Sequence, residues 1–74
     1  MSIISHPKEI ILKEIKESPC HGYILSQKLN LPLSSIYEHL KELRESELVE
    51  YKEDDRKKIY QLTKKGQMLL KAIE

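Results

Sequence analysis

Phenylalanine and tryptophan are absent from this 74-residue chain, and its four tyrosines are the only large aromatics. Any core must therefore be filled by aliphatic side chains. Glycine is almost as scarce: Gly22 and Gly66 are the whole supply. Two isolated glycines exclude a phosphate-cradling loop, and no Ser/His/Asp arrangement sits on a strand-to-helix turn, so catalysis is not expected. A single cysteine, Cys20, excludes an internal disulfide and fits a reducing cytoplasm. Long apolar runs are missing as well. None exceeds the three residues of 10–12, 23–25 and 68–70, against the roughly 20 that a membrane span needs. Nothing near Met1 has the charged, apolar and small-residue order of a secretory signal. Residues 1–74 read as a single domain with no membrane partner.

Metal chemistry is poorly supported. Cys20 and His21 are adjacent, while His6 and His39 stand apart, and neither CxxC nor HxxxH spacing occurs. No metal or other cofactor is expected. Cys20 is read as a small residue in a tight turn, with a disulfide across a dimer as the rival.

Charge is present but segregated. The formal sum is +1, which argues against coating nucleic acid by bulk charge. Residues 38–55 carry eight acidic and three basic side chains, whereas residues 56–74 carry six basic and one acidic.

Periodicity places the elements. Pro7 suits a first helical turn, and Ile10, Ile11, Leu12 and Ile15 give an apolar stripe, so residues 7–17 read as a helix ended by Ser18-Pro19. A second helix covers residues 22–29, with Ile24, Leu25 and Leu29 inward and Asn30 at its end. After Pro32, Ile36, Leu40 and Leu43 recur at i, i+4, i+7 and mark a third helix over residues 33–46. Ser35 and Glu38 have the spacing of a capping box. Beyond Ser46 the period changes. Leu48-Val49-Glu50-Tyr51 and Ile59-Tyr60-Gln61-Leu62 read as a hairpin spanning residues 48–62, with residues 52–58 as its charged tip. Thr63 caps a last helix over residues 64–73 through Met68, Leu69, Leu70 and Ile73.

The predicted fold is mainly α with one small β-hairpin: a three-helix core, a wing and a C-terminal helix, in the order of a winged helix-turn-helix. The residues 30–32 that join the second and third helices have the length such a turn uses.

Short segments also resemble a known family. His21-Gly22-Tyr23-Ile24-Leu25 resembles the HGYxL segment of PadR-type regulators, Ser35-Ile36-Tyr37 their TLY segment, and Tyr60-Gln61-Leu62-Thr63 with Gly66 their YxLTxxG segment. The resemblance covers residues 20–70. Ser35 to Leu43 (SIYEHLKEL) also resembles ArsR- and MarR-type helices, although the paired-cysteine motif of ArsR metal sensors has no match. Three departures stand out. Glu47 replaces a frequent Gly after the third helix, which costs roughly 1 kcal/mol if that position is left-handed. Pro32 stands where Ser or Thr often caps that helix. The long C-terminal dimerisation region of larger PadR proteins has no counterpart, so their mode of pairing is not carried over.

The third helix can bury one face and present the other to base edges in a major groove. At about 100° per residue from Ile36, Ser34, Tyr37, Glu38 and Lys41 fall between about 100° and 200°. Arg44, at about 80°, lies on the flank toward phosphate. Ser34 and Ser35 can cap the helix or touch DNA. Tyr37 can pack under the domain or meet a phosphate or base. Glu38 either accepts from cytosine or, as favoured here, pairs with Lys41 or Arg44. Arg56, Lys57 and Lys58 put cations on the wing, Lys64 and Lys65 extend them, and Gln27 and Lys28 are further phosphate-contact candidates.

Two functions remain in play. The first is a sequence-specific DNA-binding transcriptional regulator, a repressor by expectation. It would pair as a homodimer through Ile3, Ile4, Ile11, Met68, Leu69, Leu70 and Ile73 and bind a pseudo-palindromic duplex. The second is a protein-interaction module that uses the acidic strip Glu38, Glu42 and Glu45.

Overall fold

The computed structural model describes residues 6–73. Its elements are α1 (His6–Glu17), α2 (Gly22–Leu29), α3 (Leu33–Glu45), β1 (Val49–Asp54), β2 (Lys57–Leu62) and α4 (Lys64–Ile73). The architecture is a winged helix-turn-helix. The hub is α1, which packs against α2, α3, α4 and β2 and buries Ile11, Leu12 and Ile15 completely or nearly so. Leu25, Ile36, Leu40, Leu43 and Leu70 close over it, and Tyr60 is the aromatic of the core. No polar or charged residue is buried among the described residues.

Each joint has a local cause. After Pro19, which cannot donate, Cys20 exchanges two backbone hydrogen bonds with Tyr60, at 3.2 and 2.9 Å. The wing is thereby tied to the α1–α2 connection. Asn30 ends α2 in a left-handed conformation (φ 55°), a state that Asn tolerates. The Ser26 carbonyl accepts from the amides of Asn30 and Leu31, while the Ser26 hydroxyl donates to the Leu31 carbonyl.

Helix α3 departs from the capping box read in the sequence. It begins at Leu33 behind Pro32 with no side-chain cap, so Ser35 lies inside the first turn rather than before it. Its far end is a Schellman turn: Leu48 N–H bonds Leu43 O and Glu47 N–H bonds Arg44 O, both at 2.9 Å. Glu47 takes the left-handed position at φ 62°. A non-glycine there costs about 1 kcal/mol, which neighbouring contacts offset. Thr63 Oγ1 donates to Glu47 O, and Lys65 Nζ to Ser46 O.

The same threonine starts α4 by accepting from Gly66 N–H at 3.0 Å. Thr63 N–H in turn bonds Leu48 O at 3.1 Å. The approach is so close that a Cβ on Gly66 would lie 2.0 Å from that carbonyl oxygen. Only glycine fits this crossing.

The strands of the hairpin are longer and its tip tighter than the sequence implied. Strands β1 and β2 pair antiparallel from Val49↔Leu62 to Asp54↔Lys57. The turn is only Asp55-Arg56, both at positive φ (51° and 67°), as a two-residue type I′ loop requires. Residues 52–58 do not form one loose tip, because Glu53 faces Lys58 and Asp54 faces Lys57, and opposite charges directly across a ladder extend it.

Two residues assigned to a dimer surface need correcting. Ile11 and Leu70 are 0% and 1% exposed inside the domain's own core, so neither can face a partner. The apolar stripe of each helix is continuous, and these two positions turned out to be its inward members. Met68 is 65% exposed, and Leu69 and Ile73 are half-buried. Ile3 and Ile4 lie outside the described residues. No described helix is long and apolar enough to cross a membrane.

Candidate nucleic-acid interface

The buried stripe of α3, Ile36, Leu40 and Leu43, fixes which side of that helix faces out. Ser34, Tyr37, Glu38 and Lys41 are exposed on the other side, Arg44 is exposed near its end, and Ser35 is half-buried. Glu38 makes no hydrogen bond or ion pair among the described residues, so the pairing with Lys41 or Arg44 read from the sequence does not form. Arg44 is drawn elsewhere. Its guanidinium lies 5.0 Å from the centre of the Tyr51 ring on β1.

Tyr51 is held by two cations. Lys58 Nζ sits 4.8 Å from the same ring centre, and Tyr60 meets it at 5.6 Å and 39°. This cluster links the end of α3 to the wing and sets the gap between them. Burial pushes the Tyr60 phenol above its usual pKa, against the opposing charge of Arg44, so Tyr60 stays neutral.

The acidic strip on α3 is interrupted. Lys8 of α1 pairs with the Glu42 carboxylate, and that hydrogen bond, with the lysine's charge, lowers the Glu42 pKa. Glu38 and Glu45 remain exposed on either side of it.

Between α2, α3 and the wing opens a cleft of about 610 Å³. His21, Tyr23 and Tyr37 line it from the helices, Arg56, Lys57 and Lys58 from the wing, and Tyr60 from β2. The three wing cations expected to act together do share one space, and Tyr37 joins them there. Other candidates point to different duties. Gln27 Nε2 donates to the Tyr23 hydroxyl at 3.0 Å, Lys28 Nζ lies 3.8 Å from Glu14 on α1, and Lys65 caps the end of α3. Lys64 is exposed at the start of α4. Sequence reasoning gave no site role to His21, Tyr23, Tyr51 or Tyr60. A usable signal existed in composition, since tyrosine is the chain's only large aromatic, and three of the four copies line this cleft while the fourth, Tyr51, packs against Tyr60.

Among the described residues no three His, Cys, Asp or Glu side chains come together to hold a metal ion. Cys20 is half-buried, and burial pushes its thiol pKa up, which disfavours the reactive thiolate.

The model of the transcriptional regulator PadR-like family matches residues 11–72. The chain belongs to that family. No curated protein matches it at a significant level. Solved structures do. A cysteine-to-serine mutant of ZitR from Lactococcus lactis superposes with a TM-score of 0.91 at 24% identity, covering 99% of this chain and 52% of that one. The transcriptional regulator BldR from Sulfolobus solfataricus gives 0.88 at 26% identity, covering 93% and 52%. Wild-type ZitR in complex with DNA gives 0.84 at 25% identity, covering 92% and 49%. This PadR-like chain spans about half the length of each.

Proposed function

We propose that this PadR-like protein is a sequence-specific DNA-binding transcriptional regulator acting as a repressor, with α3 in a major groove and the wing on the adjacent backbone and minor groove. The observation that carries the reading is the shared cleft. Tyr37 on the exposed side of α3 and the cations of the wing tip open onto one space, so a single duplex can meet both. Ser34, Glu38 and Lys41 face the bases, Arg44 guards the flank, and Arg56 and Lys57 neutralise phosphate. The solved complex of ZitR with DNA supports the same use of this fold.

Pairing runs through α1 and α4, where Met68 is exposed and Leu69 and Ile73 are half-buried. A two-fold pair places two α3 helices about one helical turn apart, matching a pseudo-palindromic site. The alternative, a protein-interaction module using the acidic strip, is weakened by Lys8, which occupies the central carboxylate of that strip.

Selection of duplexes from a random pool, read alongside sedimentation velocity, tests the proposal. Enrichment of one motif in two inverted copies, bound by a dimer, is the expected result. Sedimentation showing only monomer at tens of micromolar removes the paired geometry, and a pool without enrichment removes sequence-specific reading.

A further inference from the structure

The segment His21-Gly22-Tyr23 has no part in the reading above, although it forms the wall of the cleft opposite the wing. His21 and Tyr23 stack with ring centres 6.3 Å apart and planes at 21°. Gly22, buried between them, is a glycine for a steric reason. A Cβ at this position would fall 2.8 and 2.9 Å from two ring carbons of Tyr37, so the bare backbone lets the α3 phenol lie across the start of α2. A larger residue would push that ring outward.

The chemistry of the two walls differs. On the helix side, Tyr23 accepts from Gln27 Nε2 and keeps its own O–H free to donate, Tyr37 adds a second phenol, and His21 adds an imidazole N–H. On the wing side stand Arg56, Lys57 and Lys58. Among the described residues no carboxylate lines the space. An open trench with hydrogen-bond donors along one wall and cations along the other suits an extended polyanion passing through it.

We propose that this cleft seats the phosphodiester backbone of the DNA strand passing between the two grooves, with Tyr23, Tyr37 and His21 donating to its oxygens while the wing cations neutralise it. The inference rests on the DNA-binding reading and gives the HGY segment its task. Phenol hydroxyls displace no counterions, so the two tyrosines of the helix-side wall add affinity and register without adding salt dependence.

Titration of the full chain on its selected duplex, and on a series carrying one uncharged methylphosphonate at each position in turn, separates the two walls. Tyr23→Phe and Tyr37→Phe each keep the ring and remove the hydroxyl. Each variant weakens binding roughly tenfold with the preferred sequence and salt slope unchanged, whereas Lys57→Ala lowers the log–log salt slope by about 0.9. One methylphosphonate per half-site weakens the wild type similarly and adds little to the loss in the phenylalanine variants. Phenylalanine variants that bind as wild type, while Lys57→Ala binds weakly, overturn this seat and leave the DNA reading standing. Absence of binding by the wild type to any duplex overturns both.

Discussion

Two regions of this small domain are built on opposite plans. Where α3 hands over to β1 and β2 hands over to α4, the contacts are closed and run largely through the main chain: the Schellman turn at Glu47, the Leu48 carbonyl, the Thr63 hydroxyl cap on two backbone groups and the bare Cα of Gly66. Where α2, α3 and the wing tip face one another, the contacts are side chains around open space. The rigid side fixes the separation of helix and wing. The open side is then free to turn its aromatics and cations toward a partner. Disturbing the first should appear in stability, and disturbing the second in binding.

The largest effect is expected at Gly66. Gly66→Ala drives a methyl against the Leu48 carbonyl, where backbone must move, and a loss of about 3 kcal/mol in urea unfolding is predicted. A variant as stable as wild type would show that the joint is not closed. Tyr51→Ala removes the ring that Arg44 and Lys58 share, and should cost about 2 kcal/mol while also weakening DNA binding through a loosened wing. Tyr51 belongs to both regions, so a change in only one readout would break the link drawn between them.

Smaller effects sharpen the contrast. Glu47→Gly relieves a left-handed non-glycine and should raise stability by about 0.5–1 kcal/mol with DNA affinity unchanged. Glu38→Gln should do the reverse. Stability stays within about 0.5 kcal/mol, while binding to random duplex strengthens roughly threefold and discrimination among sequences falls. Paired melts and anisotropy titrations of these two variants measure all four quantities.

Much of the fold could be read from spacing. Ile36, Leu40 and Leu43 mark the third helix, the shift to β-branched and aromatic residues after Ser46 marks the hairpin, and together they give the order of a winged helix. What escaped depends on register and direction. The tip at Asp55-Arg56 could not be told from a seven-residue loop until Glu53 was seen opposite Lys58, since cross-strand partners are not local in sequence. Ser35 and Glu38 had the right spacing for a capping box, but Pro32 starts the helix earlier. Ile11 and Leu70 sit on stripes with more apolar residues than one core needs, and a helical wheel does not tell which of them turn inward. At the site, single basic residues were legible as charge. In the cleft they share with His21 and Tyr23, the Tyr37 ring lies against Gly22, a contact between helices that no local pattern encodes.

The most direct test of the central claim is the salt dependence of binding for the wild type and the Arg56→Ala/Lys57→Ala pair, on one selected duplex and one random duplex. The wild type should prefer the selected duplex, and the double variant should lose at least roughly tenfold in affinity and about 1.8 in log–log slope, which is about 0.9 for each phosphate contact. Equal affinity and equal slope in the two proteins would contradict the account and remove the wing from the DNA.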